Sequence, residues 1–202
     1  MAHESIAFAK QELRRLIRGR RNQDAAEIER GEQNAAICAR LITLTEALGA
    51  KTILGYLSMP TEPNIRDYLN WADRSGLTVY LPIARQDSTL DWVKWHQETE
   101  LIKGRFGIPE PTGKIEIPKN VDLAVLPALA VDFLGGRLGQ GGGYYDRTMT
   151  NSFDSDSPTT AAVVFDDEVF AELPIEAHDF RVNFAVTPER TLKLPAADEA
   201  RL

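Results

Sequence analysis

The chain has a single cysteine, Cys38, among its 202 residues. An internal disulfide is therefore excluded, and a lone thiol in an apolar helical stretch reads as a packing residue of a protein kept in a reducing compartment. Histidine is almost as scarce: His3, His96 and His178 lie far apart in sequence and, with one cysteine, make no zinc-type spacing. No Gly-x-Ser-x-Gly nucleophile elbow occurs. No run approaches the roughly 18 apolar residues of a membrane span, and an N-terminus carrying Glu4 and Lys10 has no signal-peptide core. The expectation is a cytoplasmic protein. Excess positive charge is missing too, since 23 Lys and Arg face 30 Asp and Glu for a net charge of -7. That balance argues against wholesale nucleic-acid binding and leaves at most a local basic face. Internal repeats and long linkers are absent. With 43% hydrophobic and 26% charged residues, the composition describes one globular domain, expected over residues 1–194, followed by a frayed tail from Pro195 to Leu202.

Glycine is what the sequence concentrates. Six of the 14 glycines fall in the nine residues from Gly135 to Gly143. Inside a helix or strand each would cost roughly 0.5–1 kcal/mol relative to alanine, so the run belongs where backbone turns with positive φ or comes against a ligand. The apolar run Asp122–Pro127 before it reads as a buried strand, and Tyr144-Tyr145-Asp146-Arg147 after it as the start of a helix. Strand, glycine loop and helix start form a cradle of N–H groups at the positive end of a helix dipole. Such a cradle suits an anion, above all phosphate.

The rest of the chain reads as alternating helices and strands. From Glu4 to Arg21 apolar residues recur at helical period, while Lys10, Arg14, Arg18 and Arg21 fall at offsets of four, four and three on one stripe. This stripe is either a solvated face or a polyphosphate clamp. A second helix runs from Asp24, a candidate N-cap, to Gly49, with Gly31 a point of bending or division. Thr52–Ser58 is strand-like, Asn64 caps a helix over Ile65–Ser75, and Leu77–Leu81 is a second strand, which together predict a right-handed βαβ unit. The loop with Glu62 then lies at a strand's carboxyl end, where open α/β sheets bind ligands. Leu90–Trp95 reads as a strand buried on both faces, with Trp92 and Trp95 in the core. Phe106–Pro111 is a rigid proline loop fit to wall a pocket. Polar Asn151–Pro158 reads as flexible, and Thr160–Phe165 and Val182–Val186 as further strands.

The glycine loop is neither of the common nucleotide motifs. Tyr144 and Tyr145 stand where a Walker loop needs Lys and Ser or Thr, and Tyr144 stands where the dinucleotide fingerprint needs glycine. Arg137 flanks the cradle on one side. On the other, Asp146 is either a hard-oxygen ligand for Mg²⁺ beside phosphates or a helix-start residue favoured by the dipole. A second acid for a metal would come from Asp179 or from the Asp166-Asp167 pair, and His178 is a tuning neighbour of Asp179 or a surface residue.

Four motifs together carry a resemblance: Lys10-x-x-Leu13-Arg14; Leu57-Ser58-Met59-x-x-Glu62; Gly104-x-Phe106-Gly107-Ile108-Pro109-x-Pro111; and Arg137-Leu138-Gly139-x-Gly141-x-Gly143-Tyr144-Tyr145-Asp146-Arg147. From about Lys10 to Thr187 the chain resembles the 5-formyltetrahydrofolate cyclo-ligase, or methenyltetrahydrofolate synthetase, family. The resemblance implies an α/β fold, a single-domain layered sandwich with a mostly parallel sheet of the NagB/RpiA/CoA-transferase-like type. It implies ATP- and Mg²⁺-dependent closure of 5-formyltetrahydrofolate to 5,10-methenyltetrahydrofolate by a monomer, on folate with or without a polyglutamate tail. By matching position, Lys10, Arg14 and the loop Arg137, Leu138, Gly139, Gln140, Gly141, Gly142, Gly143, Tyr144 and Tyr145 would contact ATP, with Arg137 and Tyr144 catalytic. Leu57, Glu62 and the loop from Gln140 to Tyr144 would contact the folate, and Asp146 and Asp179 would hold the magnesium. Many members carry lysine where Gly142 stands, so Arg137, Lys10 and Arg14 are the cations left for the phosphates. Other readings of the chain are a sugar-phosphate isomerase or CoA-transferase relative, or an RNA-binding regulator using the basic stripe.

Overall fold

The computed structural model describes residues 2–23, 27–152, 157–176 and 179–195. The expected N-cap Asp24, His178, most of the polar stretch after Asn151 and nearly all of the tail fall outside these ranges. Two long helices come first, α1 (Ala2–Gln23) and α2 (Glu27–Leu48), then β1 (Thr52–Leu54), α3 (Arg66–Arg74), β2 (Thr78–Ala84) and β3 (Leu90–Trp95). A hairpin of β4 (Leu101–Lys103) and β5 (Pro109–Pro111) encloses a single 3-10 turn, and β6 (Ile115–Glu116) follows. The glycine region is framed by β7 (Leu123–Pro127), β8 (Ala130–Asp132), β9 (Arg137–Leu138) and α4 (Tyr144–Ser152). The chain closes with β10 (Thr159–Val163), β11 (Val169–Phe170), β12 (Phe184–Val186) and β13 (Thr191–Lys193).

Eight strands form the main sheet in the order β13-β12-β10-β7-β1-β2-β3-β6. From β12 to β2 every pairing is parallel, and antiparallel strands are confined to the two sides, β13 and the β3-β6 pair. Alternate residues of the central strands divide between two apolar layers, as the two-residue period of a strand requires. Ile53, Val79, Leu81, Leu123, Val125, Ala161 and Val163 pack with Ile37, Cys38 and Leu41 of α2 and Tyr68, Leu69 and Ala72 of α3. Their neighbours Leu54, Tyr80, Ala124, Leu126 and Ala162 face the other way, toward Met149 of α4 and Val131 of β8. The layered sandwich and the βαβ unit expected from the sequence are both present.

Several local expectations change. The first strand ends at Leu54 and not Ser58, although the Gly55 N–H still bonds the Tyr80 carbonyl at 2.9 Å. A Cβ on Gly55 would lie 2.5 Å from Leu69 Cδ2, so this glycine lets α3 close over the sheet. Helix α2 runs through Gly31 without division. Asn64 does not cap α3 in the standard position; Ile65 stands there, and the Asn64 side chain accepts from the Arg66 N–H at 2.9 Å. Trp92 and Trp95 are core residues, as is Cys38, whose thiol pKa burial pushes up.

A second, three-stranded sheet in the order β11-β8-β9 carries α1. Ile17 is fully buried against Leu129, Ala130, Leu138 and Leu173, a contact worth about 1.5–3 kcal/mol. One turn further on, Arg21 is not part of any ligand clamp. Its guanidinium grips Glu168 through Nε and Nη2 at 2.6 and 2.7 Å and donates to the Ala128 carbonyl at 2.8 Å, with both side chains 3% exposed. Burial raises the Glu168 pKa and Arg21 works against that rise. Removing one partner strands a buried charge, so Arg21→Met should lower stability by about 3–5 kcal/mol in urea unfolding, and adding Glu168→Leu should recover most of it. Equal instability of the single and double variants would contradict this account of α1 docking.

Candidate active site

On one side of β1 the chain proceeds to β2, and on the other β1 pairs with β7, so strand order reverses between β1 and β7. Loops leaving neighbouring strands in opposite directions open a crevice at the carboxyl ends, the usual ligand position of such sheets. A cavity of about 520 Å³ lies there. Tyr56, Leu57 and Glu62 from the loop after β1, Pro82 and Ala84 at the end of β2, and Pro127 at the end of β7 line it. The glycine loop from Gly139 to Gly143, with Arg137, Tyr144, Tyr145 and Asp146, completes the wall.

Arg137 is the deepest cation. It sends Nη1 to the Pro127 carbonyl at 3.0 Å and Nη2 to Asp146 Oδ1 at 2.7 Å, and its side chain is 2% exposed. Its guanidinium carbon lies 5.8 Å from the centre of the Tyr145 ring. Burial first, and the nearby Glu62 carboxylate second, push the Tyr145 hydroxyl pKa up, so it stays a neutral hydrogen-bonding group. Gly139 permits this packing, because a Cβ there would stand 3.1 Å from Arg137 Nη1. Gly141 and Gly143 adopt φ of 100° and 67°, the left-handed region that other residues enter at a cost. Gly142 sits against Tyr144, whose ring Cδ2 would be 2.8 Å from an added Cβ; a longer residue here requires that ring to move.

Buried Glu62 faces the loop. Its Oε2 accepts from the Met59 N–H at 3.0 Å and its Oε1 from Gln140 Nε2 at 2.9 Å. Across the mouth, the Tyr144 hydroxyl donates to the Arg85 carbonyl at 3.3 Å and accepts from Arg105 Nη1 at 3.2 Å. Phe106, 69% exposed, meets the Tyr144 ring edge-on at 5.9 Å. The proline loop thus walls the pocket as its composition suggests.

The basic stripe splits. Arg14 donates to the Gly139 carbonyl at 2.9 Å, and Arg18 to both the side-chain oxygen and the carbonyl of Gln140 at 3.0 and 2.7 Å. Burial, then the Arg18 charge, lower the Arg14 pKa, while the charges of Asp179 and Asp146 act in the opposite sense. Lys10 is not on the cavity wall and is paired with Asp179 at 2.6 Å and Glu176 at 3.0 Å. Asp179 also accepts from the Glu176 N–H at 2.6 Å. Leu138 is buried in β9 and contributes packing. The Asp166-Asp167 pair is not beside Asp146: Asp166 accepts from Thr187 and Asp167 from Arg20, on a separate cavity of about 420 Å³. Those acids follow the carboxyl end of β10, which runs parallel to β7, but they line the second cavity and not the crevice. Among the described residues no group of three or more His, Cys, Asp or Glu stands together as a metal cage.

The sequence model of the 5-formyltetrahydrofolate cyclo-ligase family matches residues 7–188. The chain belongs to this family. It is 35% identical over 151 residues to the 5-formyltetrahydrofolate cyclo-ligase of Mycolicibacterium smegmatis, covering 71% of this chain and 76% of that one. Against the Escherichia coli K12 cyclo-ligase the identity is 29% over 180 residues, 87% of this chain and 98% of the other. The solved 5,10-methenyltetrahydrofolate synthetase of Aquifex aeolicus superposes with a TM-score of 0.79 at 28% identity, covering 93% of each chain. As a cyclo-ligase family member the chain also has wall residues that spacing did not single out as site residues. Arg18 and Asn22 of α1, Tyr56, Thr61 and Arg105 line the cavity. Arg18 had a signal in the stripe; Tyr56 had none, since its hydroxyl bonds the Pro63 carbonyl at 2.9 Å and it reads as core.

For Lys10, burial would lower the pKa, but the hydrogen bonds to Asp179 and Glu176 and their charges more than offset it, and the pKa lies above the ordinary value of 10.5. A raised folded-state pKa means that the pairing stabilises fully below the unfolded value and is lost as pH rises through the folded one. The stability difference between wild type and Lys10→Met should be constant near neutrality and shrink above about pH 10.5 in urea titrations. A difference independent of pH would remove charge pairing as the role of Lys10.

Proposed function

We propose that this protein converts 5-formyltetrahydrofolate to 5,10-methenyltetrahydrofolate, coupled to cleavage of ATP to ADP and phosphate. The observation that carries the reading is one cavity in which the glycine loop with Arg137 meets the Leu57–Glu62 wall, Gln140 touching both. The names of the relatives supply the substrate pair. An amide-like formyl group is a poor electrophile. Transfer of the γ-phosphoryl group to the formyl oxygen breaks the bond to the ADP oxygen and leaves an iminium phosphate. Nitrogen 10 then adds to that carbon and gives up its proton, and the C–O bond breaks to release phosphate, which can carry that proton away. No side-chain nucleophile is needed, and among the described residues no cysteine, serine, lysine or histidine lines the cavity. Catalysis of this kind rests on positioning and charge stabilisation.

Each residue then has a task. The N–H groups of the glycine loop and the Arg137 guanidinium receive the phosphates, with Lys10 and Arg14 adding positive charge from α1. Leu57, Glu62 and the loop from Gln140 to Tyr144 hold the folate, and Tyr144 with Phe106 closes its edge. The donor set fits magnesium carried in by the nucleotide, because Mg²⁺ takes one or two carboxylates and completes its shell with phosphate oxygens and water. Asp146 lines the cavity and would be the first carboxylate to hold the ion; Asp179, the second that the resemblance implies, is not on the cavity wall and would have to exchange its Lys10 partner for it. When bound, the ion neutralises phosphate charge.

Mixing the protein with 5-formyltetrahydrofolate and Mg-ATP should raise the near-ultraviolet absorbance of the methenyl product, and no ATP-dependent rise would overturn the assignment. Asp146→Asn keeps an oxygen for Arg137 but loses the charge, so the fold should persist while apparent Mg²⁺ affinity drops by on the order of tenfold or more. Unchanged magnesium dependence would take Asp146 out of the metal site.

A further inference from the structure

Gln140 stands between two charged side chains that leave its amide one orientation. Arg18 Nε has only protons to offer and meets Gln140 Oε1 at 3.0 Å; Glu62 Oε1 accepts from Gln140 Nε2 at 2.9 Å. A guanidinium cannot accept and a carboxylate cannot donate, so a flipped amide would face mismatched partners at both ends. Glu62 is held in turn through its second oxygen by the Met59 N–H at 3.0 Å.

The same arginine also holds the loop backbone. Arg18 Nη2 bonds the Gln140 carbonyl at 2.7 Å, Arg14 bonds the Gly139 carbonyl at 2.9 Å, and Arg147, itself fixed to the Ser88 carbonyl at 3.0 Å, bonds the Gly142 carbonyl. In a planar trans peptide the N–H of the following residue points opposite to the carbonyl. Turning the carbonyls of 139, 140 and 142 toward arginines therefore turns the N–H groups of Gln140, Gly141 and Gly143 away from them. Among the described residues these three N–H groups have no backbone acceptor. With the positive φ of Gly141 and Gly143, this leaves the three N–H groups available to an anion.

We propose that Arg18 is a positioning residue that sets both halves of the site at once. Through the Gln140 side chain it aims the Glu62 carboxylate at the folate, and through the Gln140 carbonyl it aims the loop N–H groups at phosphate. The inference rests on the cyclo-ligase reading for the identity of the two ligands, and on the hydrogen bonds alone for the relay.

The test uses Arg18→Met, Gln140→Leu and the double variant, titrated calorimetrically with 5-formyltetrahydrofolate and separately with a non-hydrolysable ATP analogue plus Mg²⁺. Arg18→Met should weaken both ligands about threefold to tenfold, the worth of one hydrogen bond, with an unchanged melting temperature. In the Gln140→Leu background the side-chain relay is already cut while the backbone bond persists. There Arg18→Met should change folate affinity less than twofold yet still weaken the nucleotide. An equal further loss of folate affinity in that background would mean that Arg18 touches the ligand directly, and would overturn the proposal, as would unchanged affinities in the single variant. Should the wild type bind neither ligand, the functional reading fails and the relay is judged on the free protein. The Gln140 side-chain NH₂ resonances, assigned by their loss in Gln140→Leu, should shift toward the free-glutamine position in Arg18→Met. Resonances that stay put would overturn the relay whatever the ligand.

Discussion

The docking of α1 through Ile17 and the buried Arg21–Glu168 pair is the constraint on which the site depends. An α-helix turns about 100° per residue, so Lys10, Arg14, Ile17, Arg18 and Arg21 share an arc of roughly 100°. Pinning that arc at Ile17 and Arg21 leaves the helix no rotational freedom, and the cations a turn or two earlier must meet the glycine loop. A stabilising contact at one end of the helix thereby sets the electrostatics at the other. The pair is costly to bury, which is offset here by two hydrogen bonds between the partners and by backbone bonds to the Ala128 carbonyl and from the Phe165 N–H, although Arg21 Nη1 stays without a partner.

The sheet supplies the second constraint. Reversal of strand order between β1 and β7 sends the Glu62 loop and the glycine loop to opposite walls of one crevice. Neither wall alone distinguishes a folate site from any other polar cleft. Their meeting at Gln140 puts both walls on one cavity, and on the proposed reading that arrangement suits a reaction that needs alignment and charge compensation.

Much of this was legible in the chain. The parallel core follows from apolar runs such as Leu123–Leu126, and the crossover from the helix between β1 and β2. The glycine loop was legible because glycine clustering has few other physical causes. Short strands such as β6, β8, β9 and β11 were not, because two or three residues carry no periodicity and form only where a neighbour offers hydrogen bonds. Tyr56 could not be told from a core residue, since its ring is buried and only its place beside Leu57 brings it to the cavity.

By itself the sequence determined the family, the layered α/β class, the glycine-rich loop between a buried strand and a helix, and the set of cations and acids available to it, all of which are local in the chain or carried by motifs. Tertiary structure decided how those charges pair. It turned Arg21 inward to Glu168, gave Lys10 to Asp179 and Glu176, set Arg137 on Asp146, and joined Arg18 to Glu62 through Gln140. The reason is that helical spacing assigns the cations of α1 to a face, whereas the acids they meet lie more than a hundred residues away and only packing brings them there; even Arg137 and Asp146, nine residues apart, meet across the folded glycine loop.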